Sequence, residues 1–364
     1  MSAPAIPSRP EHLQAWRASG GKVCAAFPAQ YPKELLWAHG VLPVEVWDPP
    51  LAAARTPGHL QPYICSVVRQ GLELLLSGVG GQVDAILFPH TCDSLQNLAS
   101  LVSDYLKPAA PSLFFYHPKE PLGAPAGEFH LDQLAALDRR LGELFGPRPD
   151  GALEQALDWS RRLAGLYAQA YARRAAGELA APAAEFYRVL RAGEYLHPQE
   201  FIPLLEAWLA ADPGQRRSQG PVVVLSGVLP GPADLLAALD KLGLAVGHDD
   251  LLSMSRRLLH PAPGQGEPLA ALAESYLAMP PCSTRGSPLA QRLAWLQGLA
   301  AGSKARGVVF SVVKFCEPEL FDLPELRRGL KQAGLPSLVL EVDVSQEAGG
   351  QAATRLEAFG EMLV

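Results

Sequence analysis

Five cysteines are spread through the 364 residues, at positions 24, 65, 92, 282 and 316. Three of them stand where a short run of strand-like residues gives way to a helical pattern. Cys92 lies in Phe88-Pro-His-Thr-Cys-Asp-Ser94, after the run Asp84–Phe88 and at the head of a helical pattern from Cys92 to Leu106. Cys65 follows Tyr63-Ile64 and opens the pattern Ser66–Leu76; Cys316 follows Gly307–Phe315 and precedes Glu317-Pro318, where another helix starts. A helix N-terminus has unpaired N–H groups and a partial positive charge, and both favour a thiolate over a thiol. Sulfur so placed can ligate a metal or act as a nucleophile. Thiols at three such junctions, far apart in the chain, suggest one shared site built from loop ends.

A four-iron cubane is held by thiolates and has four iron corners, so three protein cysteines leave one iron open to substrate, water or an exogenous sulfur. The competing reading is three buried apolar thiols, and the placement alone leaves both open. Zinc is disfavoured, since the chain has no CxxC pair and no paired-histidine motif. Around Cys92, His90 and Thr91 offer donors that would tune a cluster, while Asp93 and Ser94 read as caps of the helix. Lys314 is either a partner for an anion or a surface lysine. Cys24 reads as core in an apolar strand, and Cys282, in the loop Pro280–Gly286, is a further candidate ligand. Glu45, at a strand end, reads as a catalytic carboxylate or as an edge charge. Ser226-Gly227 after an apolar strand suits a phosphate but matches no nucleotide fingerprint. His248, Asp249 and Asp250 read as solvated turn residues, with acid–base chemistry as the alternative. Arg256, Arg257, Arg285 and Arg355 read singly as surface residues and together as a grip for a phosphorylated ligand.

Composition narrows the classes. Apolar residues make up 48% and charged residues 19%, enough for globular cores in a chain of this length. A net charge of −6 without a basic run argues against nucleic acid as the main partner. No window of about 20 apolar residues offers a membrane span, and the Pro- and Arg-containing start has no secretory pattern. An odd cysteine count in that setting predicts a reducing cytoplasm, with thiols kept for metal or chemistry.

The elements that must position the thiols alternate. Strands are predicted at Lys22–Phe27, Pro43–Trp47, Ala85–Phe88 and Ser112–Tyr116, with helices at Pro32–His39, after Cys65 and after Cys92. From Phe129 to Asp212 the period is helical, punctuated by Gly and Pro. Strands return at Pro221–Leu229, Leu244–Val246, Val308–Val313 and Ser337–Glu341, interleaved with helices. This predicts an α/β fold class: two Rossmann-like parallel-sheet domains with a helical segment between them, and a site, for a cluster if the thiols hold one, in the interdomain cleft. The expected bounds are a leader at 1–19, a first α/β domain at 20–125, a helical region at 126–218 and a second α/β domain at 219–364. The two halves alternate alike without a sequence period. Ligands of open parallel sheets bind beyond the strand carboxyl ends, where Cys92 and Cys316 lie.

One series of motifs resembles a known family: Phe27-Pro28…Tyr31-Pro32-Lys-Glu34-Leu…Ala38…Gly40…Pro43, Tyr63-Ile-Cys65, His90-Thr-Cys-Asp-Ser-Leu95, Lys314-Phe-Cys-Glu-Pro-Glu319 and Thr354-Arg-Leu-Glu-Ala-Phe359. In this order the motifs resemble the subunits of 2-hydroxyacyl-CoA dehydratases and the related benzoyl-CoA reductases, from about residue 20 to the C-terminus. The resemblance implies a [4Fe–4S] cluster on Cys65, Cys92 and Cys316. It implies a dimer with a homologous second subunit or with itself, and an ATP-dependent iron–sulfur activator that supplies low-potential electrons. The implied substrate is an acyl-CoA thioester. In the dehydratases one electron makes a ketyl radical that expels the 2-hydroxyl; in the reductases electrons are consumed by an aromatic ring. A non-catalytic electron-relay subunit is the third implied role. The stretch Phe27-Pro-Ala-Gln-Tyr31 lacks the serine or threonine of some catalytic subunits. A double cubane needs about six thiolates at three per cubane, and five cysteines favour a single one.

Overall fold

Among the described residues, eight short strands, most of them rich in Val, Ile and Leu, form two sheets that are parallel throughout. In chain order they are β1 Lys22–Ala26, β2 Val41–Glu45, β3 Ala85–Pro89, β4 Ser112–Phe115, β5 Val222–Gly227, β6 Ala245–Leu251, β7 Gly307–Val313 and β8 Ser337–Val342. The sheet orders are β2-β1-β3-β4 and β6-β5-β7-β8, the same order used twice. Parallel strands need crossover helices, which cover both faces and bury the strands on each side; β3 and β7 are buried at every residue. This computed structural model describes residues 5–78, 82–215 and 220–364. The expected boundary between 218 and 219, and the first four residues of the expected leader, lie outside them.

The helices are α1 Arg9–Ala18, α2 Lys33–Ala38, α3 Ser66–Leu76, α4 Asp93–Ser100, α5 Ala124–Phe145, α6 Ala152–Ala176, α7 Ala183–Arg191, α8 Pro198–Ala211, α9 Ala233–Lys241, α10 Ser255–Leu258, α11 Pro268–Leu277, α12 Leu289–Ser303, α13 Glu317–Gln332 and α14 Gly349–Met362. The fold is α/β, two Rossmann-like units joined by the helices α5–α8. These helices are part of the core: α6 packs on α2 of the first unit, on β6 and α12 of the second, and on α8. One apolar core runs through Cys24, Leu157 and Val309.

Three local features depart from the sequence reading. The leader carries α1, started by a Ser8–Glu11 capping box. The helix after Cys92 widens into a π-helical stretch at Leu101–Leu106. β6 extends to Leu251, so His248, Asp249 and Asp250 are strand residues, and both aspartates are buried rather than solvated. Burial is tolerated because each carboxylate is partnered. Asp249 accepts from the Tyr171 and Tyr187 hydroxyls at 2.7 and 3.1 Å, and Asp250 from Ser226 at 2.8 Å. These partners come from distant segments, which local pattern does not reveal.

Gly227, at the carboxyl end of β5, has φ +148°, and a Cβ there would stand 2.1 Å from the Ser311 carbonyl oxygen. Gly334, φ +74°, would meet nothing within 4 Å. Gly227→Ala is expected to cost several kcal/mol of stability and Gly334→Ala only about 1 kcal/mol. Urea unfolding of the two variants checks the ranking.

Candidate thiol site between the two sheets

Parallel strands followed by helices place helix N-termini along one edge of each sheet. In both sheets the neighbouring connections diverge between two strands, β1 and β3 in one, β5 and β7 in the other. Ligands of such sheets bind at that switch point. Cys92 follows β3 and is the N-cap of α4; Cys316 follows β7 and is the N-cap of α13; Cys65 is the N-cap of α3. None of the three helices has a side-chain cap there, so Asp93 and Ser94 do not cap α4 as expected. Phe315 turns the chain into Cys316 with a left-handed φ of 62°, a conformation disfavoured for a bulky residue, and the Cys316 N–H donates to the Val313 carbonyl at 3.0 Å.

The three thiols act on one another. Cys65 and Cys316 lie close enough to perturb each other: the neighbouring Cys316 thiol lowers the Cys65 pKa, and Cys65 raises that of Cys316. The Val67 and Val68 amides at the start of α3 further favour the Cys65 thiolate. Burial pushes the Cys92 thiol up to about 11; the Leu95 amide opposes this, and charge on Cys65 adds to it. Cys92 in turn contributes to the rise at Cys316. Contacts across the seam hold α3 near β8: Arg69 pairs with Asp343 at 2.5 Å, and the Val344 N–H donates to the Ser66 hydroxyl at 3.3 Å. Among the described residues, no three His, Cys, Asp or Glu side chains close on a point as the ligands of one metal ion. A cubane gives each thiolate its own iron corner, so its ligands need not meet at a point. Three mutually interacting thiols at helix N-termini fit that donor set.

Thr91 ties the Cys92 turn to the end of β1. Its hydroxyl donates to the Pro28 carbonyl at 2.9 Å and accepts from the Ala29 N–H at 3.0 Å. His90 is half-buried, with its ring 5.4 Å from Tyr116 in an edge-on contact. Lys314 is exposed. Cys24 is buried in β1, as expected for core. Cys282 is fully buried, its sulfur 3.1 Å from the Thr284 hydroxyl and 3.5 Å from the Arg256 guanidinium. Glu45 is buried in the seam between the units. It accepts from Tyr31 at 3.1 Å and Trp47 at 2.7 Å, pairs closely with Arg257 of the second unit, and has Lys33 at 3.8 Å. Burial opposes its charge, but Arg257 and Lys33 prevail and hold its carboxyl below the usual range.

Arg256, Arg257 and Arg285 are buried, not surface residues; Arg355 is exposed. Arg256 reaches Glu319 at 2.7 Å, the Gly227 carbonyl at 2.6 Å and Asp250 at 3.1 Å. Arg292 completes the network, 3.6 Å from Glu319 and 2.6 Å from Asp322. Ser226, in the strand read as a phosphate cradle, is fully buried and donates to Asp250. Glu319 lies one turn after Cys316, so this network anchors the helix that carries the thiol. Two further groups escaped the sequence reading: Glu319, hidden in a motif read for its cysteine, and Lys119. Lys119 follows β4 as Cys92 follows β3, and the strand-end rule was the signal that could have found it.

With this geometry the comparisons with known proteins agree. A family model described as "2-hydroxyglutaryl-CoA dehydratase, D-component" matches residues 28–363. The chain belongs to this D-component family. The match takes in Cys65, Cys92, Cys282 and Cys316 and begins after Cys24. Among relatives, the chain is 29% identical to the (R)-2-hydroxyglutaryl-CoA dehydratase subunit beta of Acidaminococcus fermentans, over 96% of this chain and 95% of that one. It is 27% identical to the (R)-phenyllactyl-CoA dehydratase beta subunit of Clostridium sporogenes, over 95% and 92%. It is 26% identical to a benzoyl-CoA reductase subunit of Thauera aromatica, over 84% and 81%. No helix among the described residues of this D-component family member is long and apolar enough to cross a membrane.

Burial opposes the Glu319 charge, yet Arg256 and Arg292 push its pKa down from 4.5 to about 2. A depressed carboxylate contributes stability above its unfolded value and loses it as pH falls through the folded one. The wild type is therefore expected to lose more stability than Glu319→Gln between pH 4.5 and about 2. At neutral pH the substitution should cost about 3 kcal/mol by leaving buried guanidinium charge unbalanced. Urea midpoints against pH measure both effects.

Proposed function

We propose that this chain is the iron–sulfur subunit of a 2-hydroxyacyl-CoA dehydratase-like enzyme, acting in the radical elimination of water from a 2-hydroxyacyl-CoA. What supports the reading is that Cys65, Cys92 and Cys316 are helix N-caps from both units, near enough to shift one another's pKa, in a chain of this family. These three residues would hold a [4Fe–4S] cluster. When bound, the cluster supplies an electron and an open iron able to polarise a departing hydroxyl.

The chain's own residues supply the setting. The Val67 and Val68 amides of α3 favour the Cys65 thiolate, and the Leu95 and Ser94 amides of α4 act in the same sense on Cys92 against its burial. Thr91 fixes the Cys92 turn against β1. Phe27 and Phe88, both buried, stack 4.7 Å apart at the ends of β1 and β3. The β-hydrogen of a hydroxyacyl thioester is too weakly acidic for a side-chain base alone, which is why electron chemistry is required. Relatives named as beta subunits support a homologous partner subunit, and an ATP-dependent activator protein would deliver the electron in the cytoplasm. The second reading is a subunit of benzoyl-CoA reductase type, favoured by the Thauera aromatica relative. A subunit that only relays electrons to its partner shares the same thiol site.

Anoxic purification with iron and sulfide analysis and EPR spectroscopy tests the proposal. About four irons per chain are expected. Cys65→Ala, Cys92→Ala and Cys316→Ala should each abolish stable loading, while Cys24→Ala keeps it. Iron-free, colourless protein after anoxic reconstitution would sink the reading.

A further inference from the structure

Lys119 has a long flexible side chain at the surface, yet its ammonium is committed. It donates to the Thr91 carbonyl at 2.9 Å and to the Thr284 carbonyl at 2.7 Å. Thr91 is the residue before Cys92, and Thr284 lies two residues after Cys282. The two carbonyls belong to different α/β units, 28 and 165 positions from Lys119. The next residue repeats the link, since the Glu120 N–H donates to the Arg285 carbonyl at 2.8 Å. Among the described residues no carboxylate stands within ion-pair distance of Lys119. Its charge faces Cys92, Asp93 and Cys282.

We propose that Lys119 is a positioning residue of the thiol site: its ammonium clamps the turn carrying Cys92 to the loop carrying Cys282 and sets a positive charge beside the Cys92 and Cys282 sulfurs. The clamp is read from the contacts; the electrostatic role rests on the iron–sulfur reading above. An ammonium has three donors and no acceptor. Two are used on carbonyls, so one remains for an anion at the site. Carbonyls of two units held by one cation fix the distance between their loops, as no apolar side chain of that length can. A cluster bound by thiolates is negatively charged, and charge and donors close to it set its potential. A fixed cation favours the reduced state, which carries one more negative charge.

The test uses the full chain with Lys119→Met and Lys119→Arg. Arginine keeps the charge and can serve both carbonyls; methionine keeps the stem and loses both functions. In metal-free protein, hydrogen exchange of the amides of residues 91–94 and 283–286 is expected to quicken about tenfold in K119M and to stay within about threefold of wild type in K119R. The amides of β3 and β7 should not change. In reconstituted protein, the midpoint potential of K119M should lie below those of K119R and wild type. Unchanged exchange at both segments in K119M overturns the clamp, and equal potentials in K119M and K119R overturn the electrostatic role. A chain that takes up no cluster defeats the iron–sulfur reading and with it the electrostatic role, while the exchange result decides the clamp separately.

Discussion

The constraint on which the rest depends is the direction of the peptide unit. Every strand in both sheets is parallel, so the helices that follow them begin on the same edge. At that edge each helix has N–H groups without partners and a partial positive charge. A sulfur at the N-cap of such a helix stands where free N–H groups favour its anion, although burial outweighs them at Cys92. Cys65, Cys92 and Cys316 all occupy that position. Turning the two edges toward each other is then enough to bring thiolates from three separate segments together. Arg69–Asp343, Arg257–Glu45 and the Tyr276 hydroxyl on the Tyr31 carbonyl, at 2.8 Å, hold the two edges in that relation.

The repeated strand order gives the thiols a relation that spacing hides. Cys92 follows the third strand of its sheet, and Cys316 follows the equivalent strand of the other. Cys65 heads the helix that leads into β3. Its topological counterpart is Cys282, which precedes α12, the helix that leads into β7. The two halves thus carry the same pair of cysteine positions, but the environments differ. The Cys65 sulfur meets Cys316, whereas the Cys282 sulfur is taken up by Thr284 and Arg256 within its own unit. Cys282 thus stands apart from the three thiols that influence one another.

Much of this was legible in the chain, for identifiable reasons. The strands and the helices α5–α8 show in their apolar period, since each buries a face. The junction cysteines show because a helix start has local signs, such as Pro318 inside the first turn of α13. What stayed hidden depends on partners distant in sequence. Asp249 and Asp250 look like turn residues until Tyr171, Tyr187 and Ser226 are placed against them. Arg256 and Arg285 look like surface until the carbonyls and carboxylates that hold them are in view. Lys119 carries no motif beyond its place after a strand end, and no sequence pattern marks the two backbone oxygens it holds.

The buried charges raise the question of why so many are kept. Removing two ions from water costs several kcal/mol for each, and well-packed apolar side chains often serve stability as well. Arg256, Arg292, Asp250 and Glu319 nonetheless sit together in the second unit with almost no exposure. What an apolar cluster cannot do is fix direction, because dispersion contacts tolerate sliding and rotation. Glu319 accepts from Arg256 and from the Ser283 hydroxyl at 2.6 Å, and it lies on the turn of α13 that follows Cys316. A helix held by these directed bonds has one rotation and one axial position. Glu45 plays the matching part in the seam, where donors from Tyr31, Trp47 and Arg257 all converge on one carboxylate. The charges therefore specify where the sulfurs stand, and the apolar core supplies the stability that permits them.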